Sequence, residues 1–275
     1  MPAQRKIKLA ILDMYDGVPN EGMRCIKAIV DQYGPDVDWE VFDVRSKNEV
    51  PDKQFDIYIS SGGPGSPFDG EGKAWEPKFF KLIDDIWQHN ANGHRRKKYV
   101  FAICHSFQLL SRHFALGEVC KRKSTAFGVF PIHKTESSKR DRMFRNLPDP
   151  YYVVDSRDWQ LIEPDLGRFS DLGASILAME KKREHVPLPR AVMAVRLSDY
   201  FYMTQFHPEA DAEGMLRLFA KPERRETIRE NHGEWKLEEM IRNLTDSEKL
   251  PLTHNEVLPN FMRSTLQAIR DQDAK

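Results

Sequence analysis

The sequence predicts an α/β fold, a mixed and mostly parallel central sheet with helices on both faces. Three observations carry this. The runs Ile7 to Leu12 (interrupted only by Lys8) and Tyr99 to Ile103 are apolar without polar alternation, the pattern of strands buried on both faces. Stretches with apolar residues at helical spacing lie between such runs. Glycine and proline clusters separate the two kinds of segment, as in strand–helix–strand units.

The elements follow in order. Ile7 to Leu12 is the first strand. A helix is expected from about Glu21 to Tyr33, with Met23, Ile26, Ile29 and Val30 on one face, and Gly34 and Pro35 stopping it. Trp39 to Val44 and Phe55 to Ser60 read as the next strands, the latter running into a glycine-rich turn from Ser61 to Gly70. Trp75 to Asn90 reads as an amphipathic helix that tolerates Pro77 in its first turn. Tyr99 to Ile103 is the fourth strand, with a helix from Gln108 to Phe114 behind it. The middle of the chain is richer in strands: Ala126 to His133, Tyr151 to Asp155, Ile176 to Glu180, Ala191 to Leu197 and Tyr200 to Phe206, the last two forming a hairpin. A helix is expected at Ala212 to Ala220. Charged helical patterns follow, at Trp235 to Leu244 and Val257 to Ile269. The organisation expected is therefore one α/β domain over residues 1–220 and a helical C-terminal extension over 221–275.

Composition narrows the function. The chain has 275 residues, 42 Lys+Arg against 42 Asp+Glu, and so no net charge. A surface devoted to nucleic acid needs surplus positive charge, so none is expected. No apolar run approaches the roughly 18 residues of a membrane-spanning helix. Three cysteines, Cys25, Cys104 and Cys120, do not make a disulfide framework. These features predict a reduced, cytoplasmic protein with no membrane association. The basic run His94 to Lys98 reads as a solvated loop, with a docking surface for an acidic partner as the sharper alternative. No His/Cys spacing suits zinc, so neither a metal nor another cofactor is expected.

Three segments can carry chemistry. Cys104 follows the strand YVFAI and precedes a helix, so it sits where a strand-to-helix elbow would expose a nucleophile above the sheet edge. Backbone N–H groups at the helix start can hold an oxyanion there. Taken alone, Cys104 also reads as a buried apolar cysteine. In Gln205-Phe206-His207-Pro208-Glu209, the imidazole and the carboxylate are two residues apart and point to one side of an extended chain. A thiol needs such a base, and the base needs a group to orient it. The turn Ser60-Ser61-Gly62-Gly63-Pro64-Gly65-Ser66-Pro67 lets backbone approach a ligand closely, but it lacks the Gly-Lys-Ser/Thr of a phosphate-binding loop.

Together, SGGPGSP, ICHSFQ and QFHPE, in this order and at this spacing, resemble the class I glutamine amidotransferases over about residues 6–220, in a form similar to the glutaminase domain of GMP synthase. The family usually has glycine where Ser106 stands, and often a histidine after Ser156, where this chain has Arg157. The resemblance implies a flavodoxin-like fold with a nucleophile elbow. It also implies that Cys104 attacks the side-chain amide of glutamine to form a thioester, that His207 moves the protons and that Glu209 orients His207. The N–H groups of Gly63 and His105 would form the oxyanion hole. Gly65, Gln108, Arg157 and Asp158 would bind the substrate. Ammonia would pass to a synthetase subunit on another chain. Two other readings stay open: a stand-alone hydrolase of γ-glutamyl peptides, and a binding or regulatory protein without turnover.

Overall fold

The computed structural model describes residues 5–185 and 187–274. In chain order the elements are β1 (Ile7–Asp13), α1 (Glu21–Asp31), β2 (Val37–Asp43), the short α2 (Val44–Lys47), β3 (Ile57–Ser60), α3 (Trp75–Ala91), β4 (Tyr99–Ile103) and α4 (His105–His113). There follow β5 (Glu118–Lys134), β6 (Tyr151–Ile162), α5 (Leu166–Leu172), β7 (Ser175–Glu180), β8 (Val192–Ser198) and β9 (Phe201–Thr204). The chain ends in α6 (Ala212–Ala220), α7 (Pro222–His232), α8 (Glu234–Thr245) and α9 (Leu250–Ala274).

The strands form one mixed sheet in the order β2-β1-β3-β4-β9-β8-β7-β5-β6. Neighbours from β2 to β9 pair in parallel, and from β9 to β6 antiparallel. This is the flavodoxin-like α/β arrangement. The order reverses around β1, and in open α/β sheets ligands bind outside the carboxyl ends of strands at such a point. Met14 and Tyr15 leave β1 at that edge, as do the glycine turn after β3, Cys104 after β4 and His207 after β9.

Alternation along the parallel strands sorts the core into two layers. Leu9, Ile11, Ile57, Ile59, Phe101 and Ile103 pack with α1 and α9 on one face. Ala10, Leu12, Tyr58, Val100 and Ala102 pack with α3 and α4 on the other. Helix α9 belongs to the first layer: Phe261 meets Phe101 edge-on at 5.1 Å, and Val257, Met262 and Ile269 are buried beside it. A third cluster joins α6, α7 and α8 to Val129 of β5 and Val154 of β6. No helix among the described residues is long and apolar enough to cross a membrane.

Three departures from the sequence expectations have physical causes. Helix α4 begins at His105 rather than Gln108, because the elbow turns within Cys104 itself. Strands β5 and β6 run well past their apolar patterns. Lys121 to Thr125 carries no alternation, and its order comes from the antiparallel pairing with β6, which shifts register between Lys121 and Ala126. The basic run is not simply a solvated loop. Arg96 bridges buried Asp56 (2.8 Å) and Asp273 of α9 (2.6 Å). Lys98 gives its ammonium to the Phe55 carbonyl at 2.8 Å, and burial pushes its pKa down. Arg96 thereby ties α9 to the sheet.

Candidate active site

The elbow is built by backbone conformation. Cys104 has φ 49° and ψ −98°, outside the regions L-residues favour. Its N–H is held by the Thr204 carbonyl of β9 at 2.7 Å, and its own carbonyl accepts the first helical bond, from Gln108 N–H at 3.0 Å. Ser106 explains how the turn works without glycine at that position. Its hydroxyl donates to the Ser61 carbonyl (2.7 Å) and meets the Ser60 hydroxyl (2.7 Å). The serine therefore pins the elbow to the start of the glycine turn. Ser106→Ala leaves these buried groups short of a partner and is expected to cost about 1–3 kcal/mol, read from the denaturant midpoint. An unchanged midpoint would contradict the pinning role.

His207 is set by β6 and β9 together. Its N–H donates to the Val154 carbonyl at 2.9 Å. Its Nδ1 lies 2.8 Å from Glu209 Oε1, and the Glu209 side chain is fully buried. The ring and Cys104 border the same space: a Cβ at Gly62 would lie 2.8 Å from the His207 ring and 3.5 Å from the Cys104 Cβ. Burial opposes a charged imidazole here, but the Glu209 carboxylate and the Cys104 sulfur outweigh it and hold the His207 pKa well above its ordinary value. The thiol further faces the Ser156 carbonyl (3.6 Å) and the Gln205 amide (3.8 Å). The three side chains expected to work together therefore converge at one edge of the sheet.

The glycine turn crowds against β1. A side chain at Gly63 would come within 2.2 Å of the Met14 carbonyl, so only glycine fits. Gly65 has φ 89°, and a Cβ there would stand 2.5 Å from Asp69. Neither the Gly63 N–H nor that of His105 donates a hydrogen bond to another described residue, which leaves both free for an oxyanion. Gln108 is buried and gives its amide to the Trp159 carbonyl (3.2 Å) and Gln205 (3.3 Å). Asp158 is exposed and accepts from the Thr125 hydroxyl. Arg157 departs from expectation. Its side chain is fully buried and spent on Asp155 (2.9 Å), so its charge supports β6 from below rather than facing a ligand.

Three residues here escaped the sequence reading. Arg45 is buried and donates to the Met14 (3.1 Å) and Pro64 (2.6 Å) carbonyls, clamping both sides of the glycine turn. Nothing in its local pattern marks it. The Tyr15 hydroxyl fills the space above Gly22, where a Cβ would lie 2.3 Å from it and 3.2 Å from Glu209 Oε1. Burial, then the charges of Glu209 and Cys104, push its pKa well up, so it stays a neutral phenol beside the acid. Gln205 lies within the QFHPE motif, where the sequence gives it no role of its own. Elsewhere, Cys25 is buried and Cys120 is half-buried.

The His105 side chain is buried, and both its ring nitrogens lack hydrogen-bond partners. Burial, then Arg45 and Arg112, push its pKa down to about 3, so it is neutral and does not compete with His207 as a base. Its folded pKa lies below the unfolded value of roughly 6.5. The native state therefore loses stability as pH falls from about 6.5 towards 3, by at most roughly 5 kcal/mol at the lower end. His105→Gln is expected to flatten the melting temperature against pH over this window. Parallel curves for wild type and variant would contradict it.

The family model described as glutamine amidotransferase class-I matches residues 10–220. The chain belongs to the class-I glutamine amidotransferase family. Among solved structures, a glutamine amidotransferase from Thermotoga maritima superposes with a TM-score of 0.67 at 15% identity, over 96% of this chain and 100% of its own. A glutamine amido transferase from Methylobacillus flagellatus gives 0.64 at 16% identity, over 96% of each chain. A protein from Thermoplasma acidophilum described as a putative GMP synthase subunit gives 0.53 at 21% identity, over 84% of this chain and 100% of its own. At these identities the likeness is one of fold. Among curated proteins none matches the chain in sequence.

Proposed function

We propose that the chain hydrolyses the side-chain amide of glutamine through Cys104, His207 and Glu209. The observation that carries this is the buried His207–Glu209 pair, at 2.8 Å, with Cys104 of the elbow bordering the same space beside Gly62. The thiol proton passes to His207 and the sulfur attacks the amide carbon. The resulting oxyanion is held by the N–H groups of Gly63 and His105. His207 then gives its proton to the leaving nitrogen, and ammonia departs from a glutamyl thioester. Water, deprotonated by His207, attacks the thioester, and glutamate leaves as the thiol is restored. Gly65, Gln108 and Asp158 would hold the amino-acid group of the substrate, as the family resemblance implies. A synthetase subunit is the proposed consumer of the ammonia.

A second reading, hydrolysis of γ-glutamyl peptides by the same three residues, is kept by Arg157, which stands where the family often has histidine and is turned into the protein. The test measures glutamate release from glutamine and from γ-glutamyl dipeptides with one preparation. Turnover of glutamine supports the first reading. Turnover of the peptides alone replaces it with the second, and turnover of neither overturns both.

A further inference from the structure

A cavity of about 220 Å³ opens between the start of β5, the end of β6 and the segment after β7. Its walls carry Lys121, Arg122, Lys123, Lys181, Arg183 and Arg190, against one carboxylate, Glu180. The chain as a whole has no net charge, so this excess is local. Glu180 is already shared. It accepts from Arg122 (3.2 Å) and Arg183 (2.7 Å), and its carboxylate stands 3.8 Å from Arg157. Arg190 takes the Glu180 backbone carbonyl at 2.6 Å. Lys121, Lys123 and Lys181 form no ion pair with a described residue.

The cavity floor is ordered. Arg122 is 10% exposed and is fixed by Gln160 (2.8 Å) as well as by Glu180. Burial, then the neighbouring Arg157, push its pKa down, against the opposing pull of Glu180 and Asp155. An anion seated there would make charge-assisted hydrogen bonds at partly dehydrated guanidinium groups, where they are strongest. The volume is below the roughly 300–1,000 Å³ of a drug-sized pocket, so the occupant is small.

We propose that this cavity binds a small polyanion, a molecule bearing two or more phosphate or carboxylate groups, at a site separate from Cys104. The proposal does not rest on the reaction assigned above, because binding can be read without turnover.

The test is calorimetric titration of the full chain, at low salt, with inorganic pyrophosphate and separately with citrate. One site per chain is expected, with a Kd on the order of 10 µM to 1 mM. A response to pyrophosphate alone assigns a phosphate ligand, to citrate alone a polycarboxylate, and to both a general polyanion; each supports the site. The double variant Lys121→Glu/Arg183→Glu is expected to weaken binding about tenfold or more. Should that variant fail to fold, Lys123→Ala/Lys181→Ala, which alters two exposed side chains, is expected to weaken binding several-fold. No saturable heat with either anion, or the same Kd in wild type and a folded variant, would overturn the proposal.

Discussion

Cys104→Ala is expected to lower kcat for glutamine hydrolysis by about 10⁴ or more, the scale seen when a covalent nucleophile is removed. Without the sulfur no thioester forms, and the His207–Glu209 pair has only water to activate. The fold should survive, because the N–H and carbonyl of residue 104 carry its structural bonds, to Thr204 and Gln108. Cys104→Gly sharpens the test. A φ of 49° with ψ of −98° costs an ordinary residue on the order of 1–3 kcal/mol, and glycine escapes that cost. The glycine variant should therefore be inactive yet at least as stable as wild type, read by denaturant titration beside the activity assay. A glycine variant that is both inactive and much less stable would mean that the conformation is not strained. Residual activity near wild type in the alanine variant would remove Cys104 from the reaction.

Glu209→Gln is expected to lower kcat about 10²–10⁴-fold and to move the alkaline limb of its pH profile. Burial alone would push the His207 pKa down; Glu209 and the Cys104 sulfur hold it well above its ordinary value. A raised pKa means that the charged imidazole, and its contribution to stability, is fully present below about 6.5 and is lost as pH rises through the higher folded value. Wild type should therefore keep its activity well into the alkaline range. Without the carboxylate, the proton needed by departing ammonia is lost earlier, and the limb should shift to lower pH by about one unit or more. A fall in kcat with an unmoved limb would assign Glu209 to support of the fold alone.

Much of this site is legible in the sequence because its parts are local. The strand YVFAI ends on Cys104, the glycine turn follows an apolar strand, and His207 and Glu209 lie two residues apart. Each pattern marks an element and its end. What stays hidden is contact across the fold. Arg45 is 31 residues from the Met14 carbonyl it clamps, and no local rhythm betrays it. The space that Tyr15 fills exists because residue 22, inside an otherwise ordinary helix, is glycine. Arg157 is expected among the substrate-binding residues until the structure pairs it with Asp155. The charged start of β5 is a strand only because β6 lies beside it, which a polar segment does not announce.

The most direct measurement is intact-protein mass spectrometry after incubation with a diazo-ketone analogue of glutamine, followed by peptide mapping. A single adduct on Cys104, prevented by glutamine and absent from His207→Ala, is the expected result. Labelling of Cys25 or Cys120 instead, or no adduct while the folded chain is intact, would contradict the assignment of an activated thiol at the elbow.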